Sequence, residues 1–187
     1  AVLFPGTSLP LNIFEERYIE MVNYALSKER FIGMIQSDEK KKLYDIGCIG
    51  KIHSFSETTD GRYLISLQGT SCFKVKKELE TKHKFRLIDA DILNFEEDKK
   101  FINEKQKNNL LEKYNQYIKV KQINLNLEEI RNIDFDQIIK FIAMISPFSN
   151  IEKQALLETK NLSDFYKKLQ SILELEIVET NNNKTIN

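Results

Sequence analysis

The sequence predicts an α+β protein: a bent β-sheet or barrel with one inserted helix, followed by a C-terminal helical bundle. Three observations carry this expectation. From Ala1 to Phe95 the apolar residues recur mostly at every second position, the spacing of a half-buried strand. Beyond Phe95 the recurrence changes to that of an amphipathic helix, about 3.6 residues. All six glycines precede that change, the last being Gly69, and a glycine inside a strand marks a bulge or a sharp bend.

The first element is an extended apolar segment, "LFPGTSLPL", shaped by Pro5, Gly6 and Pro10. A helix follows, with Phe14, Tyr18, Met21, Val22, Ala25 and Leu26 on one face. Asn12 is expected to cap it, with Glu15 and Glu16 at its positive end and Lys28 and Arg30 at the other. "GKIHSF" and "RYLISLQG" then read as two strands joined by a tight turn at Asp60-Gly61. In the second of these, Tyr63, Ile65 and Leu67 share a face opposite Ser66 and Gln68. "CFKVKKEL" alternates Phe73, Val75 and Leu79 against lysines and a glutamate, and "FRLIDADILNF" sets Ile88, Ala90 and Ile92 between Asp89 and Asp91.

The charged cluster "EEDKK", Glu96 to Lys100, is the expected boundary. Residues 1–96 are read as the β-rich part, 97–178 as the bundle and 179–187 as a polar tail. Leu110, Leu111, Tyr114, Tyr117 and Ile118 make one helical stripe. Phe135, Ile138, Ile139, Ile142 and Ile145 make a second, stopped by Pro147. Ser149 with Glu152 is a capping box opening a short helix with Ala155 and Leu156. Leu162, Phe165, Tyr166, Leu169, Ile172 and Leu173 complete four stripes, the pattern of a bundle.

Composition narrows the function. The 28 basic and 28 acidic residues cancel, at 14 against 13 before Glu96 and 14 against 15 from it onward. That balance disfavours a nucleic-acid partner, whose phosphates demand a basic surface. No apolar run reaches the roughly 18 residues of a membrane span, and a cytoplasmic location is expected. Cys48 and Cys72, without a CxxC, read as two reduced, largely buried thiols, since a zinc site needs about four ligands and His53 and His83 do not complete one. There is no phosphate-cradling GxxxxGK[ST], no GxSxG elbow and no nucleophile signature beside either histidine. Asp89 and Asp91 read as a solvated strand face. No catalytic residue, metal ligand or cofactor is expected.

"LFPGTSLPLNIFEERYIEMVNYAL", Leu3 to Leu26, resembles the N-terminal substrate-recognition domain of the Lon protease family, which also occurs in cereblon-type proteins. Phe4-Pro5-Gly6, Leu9-Pro10-Leu11, Ile13-Phe14-Glu15, Arg17-Tyr18 and Met21 carry the likeness. "DGRY" at Asp60 to Tyr63, "GTSCFKV" at Gly69 to Val75 and the helical run Lys153 to Leu173 extend it over the chain. Cys72 stands where the family usually has an Arg, and with no Trp the tryptophan cage of cereblon is not carried over. The resemblance implies a β domain of the pseudouridine-synthase-and-archaeosine-transglycosylase (PUA-like) type, and a free-standing member without ATPase or Ser-Lys protease domains. It further implies a non-catalytic module binding unfolded or native client proteins or peptides, with a separate protease as a further partner. Arg17, Tyr18, Arg62 and Tyr63 are the candidate peptide-binding residues. Each also has a structural reading: Tyr18 as part of the buried stripe, Glu15 with Arg17 as a tie from the helix to a neighbouring strand, and Arg62, after a turn, as the partner of a carboxylate. RNA binding through the PUA-like fold is the alternative.

Overall fold

The computed structural model describes residues 1–95, 103–131 and 133–185, with side chains to residue 182. The chain divides into two compact units, Ala1–Phe95 and Glu96–Asn187. The expected boundary, Glu96 to Lys100, lies outside the described residues.

The first unit is one antiparallel sheet with a single helix. Its elements are β1 (Ser8–Ile13), α1 (Glu16–Leu26), β2 (Phe31–Met34), β3 (Ile46–Glu57), β4 (Tyr63–Leu79) and β5 (Leu87–Leu93). The strand order is β1-β4-β3-β2, and β5 also pairs with β4. The first half of β4 is therefore flanked by β1 and β3, and its second half by β3 and β5. The two segments "RYLISLQG" and "CFKVKKEL" are one 17-residue strand, not two. Register shifts at Ile49/Gly50, at Ile52/Ser54 and at Val75/Lys77 bend the sheet, because an unmatched residue increases local twist. Gly61 holds the β3–β4 turn with φ of +80°.

The "FPG" segment seats on Gly69. Gly6 N–H donates to the Gly69 carbonyl at 2.9 Å, and Gly69 N–H donates to the Thr7 carbonyl at 2.8 Å. A Cβ on residue 69 would lie 2.1 Å from the Phe4 carbonyl oxygen, so only glycine admits this approach. The approach carries Val2, Leu3 and Phe4 into the core, where Ile13, Val22, Ala25, Ile32, Ile52, Ile65, Leu67 and Phe73 are also buried.

Pro10 has a physical reason at its position. The Gly69-to-Thr7 bond points Gly69 toward β1, and the side of a strand that a residue's N–H and C=O face alternates. Leu9, Leu11 and Ile13, opposite Leu67, Ile65 and Tyr63, therefore bond to β4. Ser8, Pro10 and Asn12 face the other way. Pro10 thus removes no ladder bond. Among the described residues no strand pairs with this outer edge of β1.

Several expectations fail around α1. Asn12 does not cap the helix, because it is a strand residue opposite Leu64, and Glu15 takes the cap position without a side-chain bond. The helix ends at Leu26, so Lys28 and Arg30 lie beyond its last turn. Phe14 precedes the helix and is 66% exposed, outside the apolar stripe. Val22 and Ala25 are buried, while Tyr18, Met21 and Leu26 are half-buried. On β5 Ile92 is also exposed, although Ile88 and Ala90 of the same face are half-buried.

The second unit contains α2 (Glu104–Lys121), a 3₁₀ turn (Leu127–Ile130), α3 (Phe135–Ile145), α4 (Asn150–Leu157) and α5 (Leu162–Thr185). The stripes of α2 and α5 are buried as expected, and so are Phe135, Ile138, Ile139 and Ile142 of α3. Ile145 is exposed instead, because α3 ends there and Ser146 is already extended. Capping boxes open α2 at Asn103 with Gln106 and α4 at Ser149 with Glu152. α5 runs through the segment read as a polar tail, reaching Thr185 rather than stopping at residue 178.

Candidate functional site

The two motifs singled out in the sequence, "IFEERY" and "DGRY", meet at one corner of the β unit. Their meeting follows from the register, in which Ile13, the last residue of β1, lies opposite Tyr63, the first of β4. Three residues after Ile13 the chain enters α1, and Asn23 of that helix reaches Tyr63. Its side-chain oxygen accepts a bond from the Tyr63 hydroxyl at 3.3 Å.

Each candidate residue is held locally. Arg17 pairs with Glu15 at 2.8 Å and sets its guanidinium 4.4 Å from the centre of the Tyr18 ring. Arg62 bonds Asp60 at 2.8 Å, beside the β3–β4 turn. Thr58 bonds the other oxygen of Asp60, and this bond, with the charge of Arg62, holds the Asp60 carboxyl below its ordinary value. Tyr63 packs edge-on against Phe55 at 4.9 Å between ring centres. Tyr18 and Tyr63 are half-buried, and the two arginines are exposed. Arg62 thus has the carboxylate partner that its structural reading anticipates, Asp60 within the turn, whereas Arg17 pairs with Glu15 of its own segment at the helix start.

Phe14 and Phe55 are the contributors that sequence reasoning missed. Phe14 directly follows the residue opposite Tyr63 and is 66% exposed, while Phe55, the ring neighbour of Tyr63, is 41% exposed. Periodicity placed Phe14 in the core, so no sequence signal separated it from buried aromatics. The corner therefore offers exposed aromatic surface, two guanidinium groups already oriented by carboxylates, and an unpaired strand edge alongside. Such a surface can take an extended apolar polypeptide, with the edge accepting its backbone and the aromatics its side chains.

Also along α1, the segment before β5 is tied down by charge. Lys84 pairs with Glu16 at 2.6 Å, and His83 Nδ1 lies 2.8 Å from Glu20. These partners lower both glutamate carboxyls and raise the Lys84 ammonium. His83 stacks on Phe85 and meets Tyr24 edge-on, which makes it a packing residue of this strap. His53, on β3, is exposed. Among the described residues no three His, Cys, Asp or Glu side chains gather as a metal would require. No described helix is long and apolar enough to cross a membrane.

Comparison with known proteins sets the chain in a family. The Lon protease of Buchnera aphidicola subsp. Baizongia pistaciae is 25% identical over 190 residues, covering 94% of this chain and 24% of that protein. The chain thus spans about a quarter of the length of such relatives. The Lon N-terminal domain protein from Xanthomonas campestris superposes with a TM-score of 0.66 over 92% of both chains, at 18% identity. The N-terminal domain of Mycobacterium avium complex Lon protease superposes with a TM-score of 0.67 over 92% of both chains, at 12% identity, so the fold is shared well beyond the sequence. Residues 1–174 match the profile of the ATP-dependent protease La (LON) substrate-binding domain, and the chain belongs to that family.

Proposed function

We propose that the β unit captures protein clients at the corner formed by the start of α1 and the β3–β4 turn. Arg17, Tyr18, Arg62 and Tyr63 frame the site, and Phe14 and Phe55 supply its apolar contact. An unfolded segment lies along the outer edge of β1, where Ser8, Pro10 and Asn12 turn their backbone groups away from the sheet. Residues 1–96 act in this reading as the recognition unit, and residues 97–178 as the helical unit that accompanies it. The single observation that carries the proposal is exposed aromatic surface, Phe14 at 66% and Phe55 at 41%, beside an unpaired strand edge. The family's substrate-binding description supports it.

The chain binds its client and breaks no bond in it. It works in the cytoplasm and hands clients to a protease. With 28 basic and 28 acidic residues, the charge gives an RNA partner no support. Ordering a flexible client costs about 2–5 kcal/mol, so a site of this size yields affinity on the order of micromolar. The test is to titrate a fluorescently labelled, permanently unfolded polypeptide with the full chain, and to follow its integrity by electrophoresis. Saturable binding with an intact client is expected, and Phe14→Ser should weaken it several-fold. Cleavage by this chain alone, or no binding to any unfolded polypeptide, would overturn the proposal.

A further inference from the structure

Cys48 and Cys72 are 24 positions apart in the sequence, yet they are direct neighbours across the two central strands. The register of β3 with β4 places Cys48 opposite Cys72. Residues directly opposite one another on antiparallel strands project to the same face, and how close they come depends on whether the pair exchanges backbone hydrogen bonds.

Two bonds settle which kind of pair this is. Val75 N–H donates to the Asp45 carbonyl at 2.8 Å, which makes Val75 of β4 and Asp45, the residue just before β3, a hydrogen-bonded pair. Three steps along an unshifted register lead to 48 and 72, and the alternation makes that pair non-hydrogen-bonded. The other neighbour of β3 agrees. Ile52 N–H donates to the Arg30 carbonyl at 2.8 Å, and four steps further Cys48 lies opposite Met34. Cys48 therefore turns its backbone groups toward β2 and not toward β4. In a non-hydrogen-bonded pair the Cα atoms lie about 4.5 Å apart and the side chains approach most closely. That separation falls within the range, roughly 4.4–6.8 Å, that a disulfide spans.

The pair is also unequal in exposure. Cys48 is fully buried, whereas Cys72 is half-buried. Both are thiols in this structure, and Cys48 Sγ–H points to the Ile49 carbonyl at 3.5 Å. Across the sheet the same row continues to Met34 on one side and Leu93 on the other, so the dithiol lies at the middle of four strands.

We propose that Cys48 and Cys72 form a reversible cross-strand disulfide when the protein meets a peroxide. The Cys72 thiolate attacks one peroxide oxygen and the O–O bond breaks, giving a sulfenic acid at Cys72 and one water. The Cys48 sulfur then attacks the Cys72 sulfur, the S–O bond breaks, and the hydroxyl leaves with the Cys48 proton as a second water. Two thiols are oxidised and one peroxide is reduced to two waters. A dithiol reductant such as dithiothreitol reverses the step by thiol–disulfide exchange. The half-exposed Cys72 admits the oxidant, and the buried Cys48 resolves the sulfenic acid before it oxidises further.

The experiment treats the native full chain with hydrogen peroxide, blocks remaining thiols with iodoacetamide, and maps the peptides by mass spectrometry without reduction. The expected product is one linked peptide pair containing Cys48 and Cys72, lighter by two hydrogens and abolished by dithiothreitol. Cys48→Ser should instead drive Cys72 on to sulfinic and sulfonic acid, while Cys72→Ser should leave Cys48 unoxidised. A trivalent arsenical, which takes two neighbouring thiols at once, should protect both cysteines of the untreated wild-type protein from alkylation. The wild-type map decides even where a variant does not fold. Irreversible oxidation of Cys72 in the wild-type chain with Cys48 still alkylatable after unfolding, or disulfides only between chains, would overturn the proposal.

Discussion

Adding one methyl group at Gly69 should cost the β unit much of its stability. The new Cβ would lie 2.1 Å from the Phe4 carbonyl oxygen and 2.9 Å from the Phe4 carbonyl carbon. Both are backbone atoms, so no rotamer change relieves the overlap. The Phe4 segment must retreat by roughly 1 Å or more to reach ordinary contact. That retreat strains the bonds between Gly6 and Gly69 and between Gly69 and Thr7, and it displaces the Phe4 oxygen that accepts from both Thr7 N–H and Thr7 Oγ1. Leu3 and Phe4, each 1% exposed, are drawn out of the core with it. One or two weakened bonds at about 1 kcal/mol each, with overpacking of about 1–3 kcal/mol, give about 2–5 kcal/mol of destabilisation. Whole domains are stable by only about 5–15 kcal/mol.

Cys48 reports this loss without assuming that both units unfold together. Its sulfur is fully buried in the β unit, so alkylation requires local opening. At 1.4 kcal/mol per tenfold change, Gly69→Ala should accelerate Cys48 labelling by roughly 30- to 4,000-fold under reducing, native conditions. Peptide-resolved mass spectrometry separates it from Cys72. An acceleration below about 5-fold, equivalent to less than about 1 kcal/mol, would refute the seating of the "FPG" segment on Gly69.

Other outcomes can be checked singly. Tyr117 is fully buried with no hydrogen-bond partner for its hydroxyl among the described residues, and burial drives its phenol far above the ordinary value of 10.0. Tyr117→Phe should therefore leave the helical unit unchanged or more stable by about 1 kcal/mol, and a loss of that size in a urea melt would contradict it. Ser149→Ala removes the capping box of α4 and should cost about 1 kcal/mol by the same measurement. Glu16 and Glu20 have folded pKa values depressed from 4.5, chiefly by their bonds to Lys84 and His83. Their contribution is present above about that pH and is lost as pH falls through the lower folded values. NMR titration should find both midpoints below 4.5, and an undepressed midpoint would deny the strap.

Much of the fold was legible wherever local chemistry decides it. Asp60-Gly61 specified a turn through one backbone conformation, Ser149 with Glu152 specified a helix start, and the stripes of α2 and α5 are buried residue for residue. The failures share one cause, which is that strand pairing settles them. Asn12 is a good cap by composition, but the partner Leu64 draws it into β1. Phe14 fits a helical period, but the helix begins two residues later. β2, only four residues long, carries too short a pattern to be read. The neighbourhood of Cys48 and Cys72 depends on register across 24 residues, which no local pattern encodes. Of the candidate site, Arg17, Tyr18, Arg62 and Tyr63 were identifiable from two motifs. That the two motifs adjoin needed the pairing of Ile13 with Tyr63, and the exposure of Phe14 and Phe55 needed the packed sheet.

The location of client binding is tested most directly by placing a photoreactive benzophenone side chain at single positions and irradiating with an unfolded polypeptide. Positions 14 and 55 report on the corner, and position 151, where Ile151 is 69% exposed on α4, serves as an equally accessible apolar control. Crosslinks to the polypeptide are expected from 14 and 55, competed away by unlabelled polypeptide, with little or none from 151. Equal crosslinking from all three positions, or crosslinking from 151 alone, would contradict binding at the corner of the β unit.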